Sequence, residues 1–137
     1  MNSRKELLQN LKSTYCRIAP SKVQGVGILA IRDIPKGTNP FPSVRKQKWV
    51  KFNISEFQNA DKAVLELIDA FFVIQKDGSF WAWDLGLNGM EPSFYINHSK
   101  KPNIKAENNG ANFRTLRKIK KGEELLVSYG TYDYKYK

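Results

Sequence analysis

The stretch NHSKKPN, from Asn97 to Asn103, is polar and turn-forming, yet the apolar run FYI at 94–96 leads directly into it. It contains His98, the single histidine of the chain, between an amide and a hydroxyl. A polar cluster that follows a strand-like run favours a satisfied network of hydrogen bonds. The alternative is an ordinary surface loop, since Asn, Ser and Pro favour turns on their own. A second stretch, GEELLVSYG from Gly122 to Gly130, shifts the balance towards the network.

The two stretches share their order and spacing with a known family. NHSxxPN, followed about twenty-five residues later by GEELxxxYG, resembles the C-terminal half of a SET domain. That family comprises protein lysine methyltransferases that use S-adenosylmethionine. Upstream, GVGILA at 25–30 and DIPKG at 33–37 resemble the N-terminal half of the same family. The motifs follow the family's order over about 23–130, and the chain is similar to minimal, stand-alone virus-encoded and microbial SET proteins.

The resemblance implies a fold that is mainly β with one or two short helices. In this β-clip-like SET fold, the two C-terminal motifs meet in a knot-like threading that is unusual for proteins. A length of 137 residues suits one domain with its own core. We therefore expect an N-terminal amphipathic helix at 1–13, a SET domain at 14–130 and an aromatic C-terminal tail at 131–137.

Two segments of the sequence have a helical pattern. Ser3 and Glu6 form a capping box ahead of a short stripe of leucines, which could pack on the domain or on a partner chain. The region 53–74 is the most helical, with Ser55 or Asp61 as its cap. Its apolar residues recur with a helical period, which we interpret as core packing. They are Ala60, Val64, Leu67, Ile68 and Phe71.

Short strands and turns account for most of the remaining chain. Asp77-Gly78 predicts a hairpin between the apolar runs 72–74 and 80–83, and Asn109-Gly110 predicts another between 104–107 and 112–116. Similar turns, IPKG and IKKG, recur at 34–37 and 119–122. The family places a variable, substrate-facing insert near the first hairpin. Trp81 and Trp83 are therefore candidates for a peptide groove, although core burial is expected for at least one.

The chain carries a formal charge of +10. This charge suits a polyanionic partner such as nucleic acid, or it keeps a basic face solvated. A basic protein repels lysine-rich tails at long range, so an enzyme reading needs an acidic channel or docking on nucleic acid that carries the substrate. The positive residues form two clusters in the sequence: Arg45, Lys46, Lys48 and Lys51, and then Arg114, Arg117, Lys118, Lys120 and Lys121.

A single cysteine, Cys16, excludes an internal disulfide and any cysteine-based zinc cluster. In agreement, Lys100 stands where many relatives have a cysteine after Asn-His-Ser. The sequence contains no signal-peptide pattern and no long apolar run. We expect an intracellular protein without membrane contact, with a nuclear or chromatin location left open, and either a monomer or a homodimer. No metal is expected.

The resemblance also implies roles for individual residues. Tyr129 matches the tyrosine of the lysine tunnel, where its phenol orients the lysine nitrogen and the methyl group. Val127, Tyr132 and Tyr134 are candidates for the tunnel wall, with an exposed, functionless tail as the alternative for the last two. The expected contacts of S-adenosylmethionine come from two places. One is the backbone of the loop around 25–27, called the glycine loop, and the other is Asn97-His98 with the residues before it. They are Gly25, Val26, Gly27, Phe94, Tyr95, Asn97 and His98.

The implied reaction is transfer of a methyl group from S-adenosylmethionine to a lysine side chain, with histones as one candidate substrate. A free lysine has a pKa of about 10.4, so removing its proton near pH 7 costs about 4 kcal/mol. A dry aromatic tunnel disfavours the ammonium form and lowers that cost. For His98 the alternative role is purely structural. For the whole chain the alternative is an inactive SET-fold module that binds nucleic acid or chromatin through its basic surface.

Overall fold

The computed structural model describes residues 3–42, 48–110, 112–131 and 133. Over these residues the chain is mainly β, as predicted, with two α-helices, α1 (Arg4–Lys12) and α2 (Lys62–Phe71). No helix in this part of the chain has the length and apolar character needed to cross a bilayer. The strands are short: β1 (Cys16–Pro20), β2 (Val26–Ala30), β3 (Trp49–Asn53), β4 (Ser79–Trp83), β5 (Asn97–His98), β6 (Ile104–Glu107), β7 (Asn112–Thr115) and β8 (Leu126–Val127).

The strands combine into four two-stranded sheets across the described ranges. Antiparallel pairs join β1 to β2 and β6 to β7, and the second pair confirms the hairpin predicted around Asn109-Gly110. The strands β5 and β8 are parallel, so their connection must cross over rather than turn back. This crossover brings together the polar stretch 97–103 and the stretch 122–130.

The hairpin predicted between 72–74 and 80–83 is wrong, because β4 pairs with β3 instead. The tight turn is present: Gly78 has φ +86°, and the Gln75 amide donates to the Ser79 carbonyl at 2.8 Å. However, Phe72 is buried against Phe80 as a side-chain partner, with their rings 5.8 Å apart. The local turn signal therefore identified a real turn but the wrong strand partner.

Helix α1 begins at the predicted capping box. The Glu6 amide donates to the Ser3 hydroxyl at 3.2 Å, and the Ser3 amide donates to the Glu6 carboxylate at 3.4 Å. Its leucines do not pack on the domain: Leu7, Leu8 and Leu11 are all exposed. The cap thus sets where the helix starts, while its apolar stripe remains on the surface.

Helix α2 is shorter than the predicted helical region and begins after Asp61, whose side chain accepts a hydrogen bond from the Ala63 amide at 2.8 Å. The assignment of its whole apolar stripe to the core is wrong. Ile68 is buried, whereas Val64 and Leu67 are 39% and 44% exposed. The described neighbours cover one edge of the helix, so the rest of the stripe faces outward.

Two clusters of buried side chains hold the molecule together. The larger one joins both halves of the chain through β2, β8 and the segments around them: Ile28, Ala30, Ile34, Ile96, Ile104, Phe113, Ile119, Leu125 and Val127. The smaller one consists of Ile68, Phe72, Phe80 and Ala82. Burying each large apolar side chain contributes about 1.5–3 kcal/mol. The larger cluster lies directly beneath the polar stretch at 97–103 and therefore fixes its position.

The turns at 34–37 and 119–122 lie side by side, which explains their similar sequences. Ile34 and Ile119 exchange backbone hydrogen bonds of 2.8 and 2.9 Å, and both side chains are fully buried. Each turn ends at a glycine with positive φ, +76° at Gly37 and +90° at Gly122. The turns thus form a rigid double loop on the surface above the larger core cluster.

Candidate active site

The parallel pair β5–β8 brings the two motif stretches into one structure. Asn97 lies opposite Leu126, and His98 lies opposite Val127. Beyond the strands, the Ser99 amide donates to the Val127 carbonyl at 3.0 Å. These contacts place the polar loop against the segment that carries Tyr129. The knot-like threading of one stretch through the other stays a prediction.

Asn103 fastens the far end of the polar loop to the same segment. It is 5% exposed, and its side chain makes two hydrogen bonds of 2.8 Å. The amide group donates to the Glu124 carbonyl, and the amide oxygen accepts from the Leu126 backbone N–H. A buried side chain that satisfies a donor and an acceptor on one strand fixes the position of that strand. The stretch 97–103 is therefore held by a satisfied network of hydrogen bonds, as predicted, and is not an ordinary surface loop.

The Glu124 side chain connects three parts of the chain that are distant in sequence. Its carboxylate accepts from the Ser21 hydroxyl at 2.8 Å and from the Asn97 side-chain amide at 3.1 Å. The same Asn97 amide lies 3.1 Å from the carbonyl oxygens of Gln24 and Val26, which belong to the glycine loop. Charge-assisted hydrogen bonds of this kind are stronger than neutral ones. Glu124 and Asn97 therefore hold the glycine loop against β5.

The two glycines of the glycine loop are required for different reasons. Gly25 has φ +49°, a conformation that side chains disfavour, and a Cβ there meets no atom within 4 Å. At Gly27 the space is closed, because a Cβ would lie 2.5 Å from the Glu124 carboxylate and 3.0 Å from the Asn97 amide nitrogen. Gly25 thus borders open space, while Gly27 allows the Glu124 carboxylate to approach the backbone.

His98 positions the backbone of Tyr129. Its Nδ1 accepts a hydrogen bond of 3.0 Å from the Tyr129 amide, and the two rings lie 5.1 Å apart between centroids. Since Nδ1 is the acceptor, the neutral imidazole carries its proton on Nε2. The geometry gives His98 an architectural role towards Tyr129, whatever else its ring contacts.

Tyr129 follows two residues after β8, and its phenol reaches back to the segment before β5. It donates a hydrogen bond of 2.5 Å to the Ile96 carbonyl, immediately before β5, and its side chain is half-buried. With its hydrogen directed at a carbonyl, a phenol oxygen acts towards other groups as an acceptor. The structure therefore brings together Ile96, His98 and Tyr129 at one point, beside the loop held by Glu124.

The remaining predicted site residues lie in different surroundings. Phe94 packs its ring against Phe72 at 6.1 Å, beside the smaller core cluster. Tyr95 packs against the larger cluster, so these two neighbouring residues lie between the two cores. Val127 is fully buried in the larger cluster. The predicted tunnel residues Tyr132 and Tyr134 lie outside the described residues.

Sequence reasoning gave no role to Ser21, Asn103 or Glu124, although the last two belong to the quoted motifs. A signal was present for Glu124, a carboxylate directly before the apolar run Leu125–Val127, where a charge requires partners. Trp83 is buried, as expected for at least one of the two tryptophans, and Trp81 is 55% exposed. A role of Trp81 in a peptide groove stays a prediction. The basic residues Arg45 and Lys46 of the first cluster lie outside the described residues.

Short paired strands, a parallel crossover and a glycine loop locked to it define a domain in which two distant loops build one site. The family model for the SET domain matches residues 25–130, and the chain belongs to the SET domain family. No curated protein sequence matches the chain.

Two solved structures are similar in fold. One is a Plasmodium falciparum protein described as a candidate histone methyltransferase, with 18% identity and a TM-score of 0.54, covering 85% of this chain and 94% of that chain. The other is a humanized mutant of the Chaetomium thermophilum Polycomb Repressive Complex 2 bound to the inhibitor GSK126, with 22% identity and a TM-score of 0.56. That match covers 88% of this chain and 15% of the longer one.

Proposed function

We propose that this protein is a protein-lysine N-methyltransferase that uses S-adenosylmethionine. The observation that carries the proposal is the junction at Tyr129, whose phenol bonds the Ile96 carbonyl and whose amide bonds His98. Membership of the SET domain family and the named methyltransferase neighbours support it. A binding module has no evident use for a tyrosine held at both its amide and its phenol.

The residues around the glycine loop fit the methyl donor. Gly25 is exposed and a Cβ there would meet no atom within 4 Å, so its outer side is open to a ligand, while the Asn97 amide holds the neighbouring Gln24 and Val26 carbonyls. In the proposed site these groups, together with the backbone of 94–98, hold the amino-acid and adenine portions. When bound, S-adenosylmethionine supplies an electrophilic methyl group on a positively charged sulfur. The backbone carbonyls near Tyr129 suit weak C–H···O contacts to that methyl group.

Tyr129 orients the incoming lysine. Its phenol hydrogen is directed at the Ile96 carbonyl, so the oxygen can accept a hydrogen bond from the amine and aim the nitrogen lone pair. Rigid alignment of two reacting groups contributes several kcal/mol to catalysis. Burial of the amine beside aromatic rings disfavours its charged form and lowers the cost of deprotonation at pH 7. The protein therefore needs no strong general base at this position.

For the substrate we propose a lysine in a protein or peptide, with a histone tail as the first candidate, and a nuclear or chromatin location. The support is that both neighbouring structures carry names from histone methylation or Polycomb repression. Transfer of a labelled methyl group to whole histones and to a proteome extract tests this, with mass spectrometry to locate the modified lysine.

The decisive variant is Tyr129→Phe, which keeps the ring and removes the phenol oxygen. We expect at least ~100-fold slower methyl transfer, the usual scale for losing one positioned polar group in an active site, with the fold retained. Tyr15→Phe is the matched control, because Tyr15 is also half-buried against the larger core cluster but its ring lies 4.0 Å from the Arg32 guanidinium. Full activity of Tyr129→Phe would remove the phenol from the mechanism. Folded protein that methylates no lysine substrate would favour the alternative, a SET-fold binding module.

A further inference from the structure

One face of the molecule concentrates positive charge around the double loop and the β6–β7 hairpin. We define its cations, all exposed, as the basic strip: Arg32, Lys36, Lys105, Arg114, Arg117, Lys118, Lys120 and Lys121. Hydrogen bonds make the strip continuous, because Arg114 on the hairpin donates to the Gly37 carbonyl at 2.8 Å. The Lys121 amide likewise donates to the Asp33 carboxylate at 2.9 Å, which joins the two turns.

Three carboxylates lie within the strip, and each is already engaged. Asp33 pairs with Lys118 at 3.4 Å, Glu107 pairs with Arg114 at 3.0 Å, and Glu123 pairs with Arg117 at 2.8 Å. Eight cations against three carboxylates leave +5, half of the formal charge of the chain. Among the described residues, no carboxylate lies within ion-pair distance of four other cations of the strip. Three are in the turns, Lys36, Lys120 and Lys121, and the fourth is Arg32, whose guanidinium lies over the Tyr15 ring.

The unpaired cations are held on a rigid support. Glu123 accepts the Lys120 amide at 2.8 Å, so the carboxylates stabilise the turn backbone as well as their ion pairs. Charge is uneven across the molecule: the segment 61–71 around α2 carries three carboxylates and one lysine, whereas the strip carries eight cations and three carboxylates. A protein whose positive charge is distributed unevenly is oriented as it approaches a polyanion.

We propose that the basic strip binds the phosphate backbone of double-stranded nucleic acid. Duplex DNA presents one negative charge per about 1.7 Å of its axis, so a row of fixed cations can face several phosphates at once. The hairpin strands contribute four residues each, about 13 Å of length, and the double loop extends the row. The inference is independent of the methyl transfer proposed above, and it gives the excess positive charge a specific site.

Fluorescence anisotropy with a mixed-sequence DNA duplex of about 20 base pairs tests the proposal between 50 and 200 mM salt. If about five cations contact phosphates, log K falls against log salt with a slope of about −4.5, roughly a 500-fold loss of affinity over this range. The triple variant Lys36→Gln, Lys120→Gln, Lys121→Gln removes three of them without breaking an ion pair. We expect its slope to be about −1.8, roughly a 12-fold loss over the same range.

A matched triple variant provides the control, because Lys48→Gln, Lys51→Gln, Lys62→Gln removes the same charge from the β3 and α2 side. We expect it to keep a slope close to that of the wild type, and both variants to keep the wild-type urea unfolding curve. Equal effects of the two triple variants, or an unchanged slope in the strip variant, would overturn the proposal. So would wild-type protein that prefers polyglutamate, or vesicles of phosphatidylcholine and phosphatidylserine, to the duplex.

Discussion

Replacing Gly27 with alanine tests whether the Glu124 carboxylate is locked against the glycine loop. The new Cβ would lie 2.5 Å from that carboxylate, whereas ordinary contacts begin at 3.4 Å. Glu124 must therefore move by about 0.9 Å, which stretches its hydrogen bonds to Ser21 and Asn97. Hydrogen bonds to a charged group contribute about 1.5–3 kcal/mol each, so we expect a loss of about 2–3 kcal/mol.

A smaller effect acts in the opposite direction. Gly27 does not have positive φ, so alanine is compatible with its backbone and restricts the unfolded chain, which stabilises by about 0.4–1 kcal/mol. The steric effect wins, and the net cost is about 2 kcal/mol. Gly25→Ala is the control: nothing lies near its Cβ, but φ +49° costs about 1–2 kcal/mol whatever stands at position 124.

The assay is urea unfolding of a double-mutant cycle with Glu124→Ala. Removing the carboxylate leaves only the Asn97 amide nitrogen close, 3.0 Å from the new Cβ, so Gly27→Ala should then cost about 1 kcal/mol or less, a coupling of at least about 1 kcal/mol between the two positions. Gly25→Ala should show no such coupling. If Gly27→Ala costs the same in both backgrounds, the carboxylate is not held where the structure places it.

Three further predictions concern stability and reactivity. Asn103→Ala leaves the Leu126 amide and the Glu124 carbonyl unsatisfied, and we expect a loss of about 2–4 kcal/mol in urea unfolding, with little change for Lys101→Ala. Burial raises the pKa of the Cys16 thiol to about 12, so iodoacetamide at pH 8 should label it at least ~100-fold more slowly in native than in urea-unfolded protein; equal rates would contradict its burial.

The third prediction concerns the stability of the fold at acid pH. The Lys121 amide holds the pKa of Asp33 below its usual value, and the Arg117 guanidinium does the same for the pKa of Glu123. A carboxyl group whose pKa is lower in the folded state than in the unfolded state stabilises the fold at pH values above the unfolded pKa. This stabilisation is lost as the pH falls through the folded pKa. Urea unfolding should therefore show stability dropping below about pH 4, with a shallower drop in Glu123→Gln. An equal drop in that variant would contradict the assignment.

Local patterns predicted the parts of the fold that local interactions decide. The capping box at Ser3 and the hairpin at 104–115 depend on residues a few positions apart, and the structure contains both. The family resemblance predicted that 97–103 and 122–130 meet, and the parallel pair β5–β8 confirms it. Local patterns could not predict the pairing of β3 with β4, because twenty-five residues and a helix separate Asn53 from Ser79.

The site was predicted less completely for a related reason. The resemblance pointed to Asn97 and His98, but their measured partners are side chains and backbone groups from other segments, which no local pattern shows. The Ser21 hydroxyl lies 103 positions from Glu124 in sequence and 2.8 Å from its carboxylate in space. The prediction that the whole apolar stripe of α2 is buried was wrong for a different reason. Periodicity identifies an apolar face but does not show how much of it a neighbouring element covers.

Titration calorimetry of the folded protein with S-adenosylmethionine, and with the thioether that remains after methyl transfer, tests the central claim most directly. We expect saturable binding of one molecule per chain, weakened at least ~10-fold by Gly27→Ala because that change displaces the Glu124 and Asn97 side chains. Tyr129→Phe should bind the thioether with nearly wild-type affinity. Folded wild-type protein that shows no heat of binding with either compound would contradict the account and leave the SET fold without its chemistry.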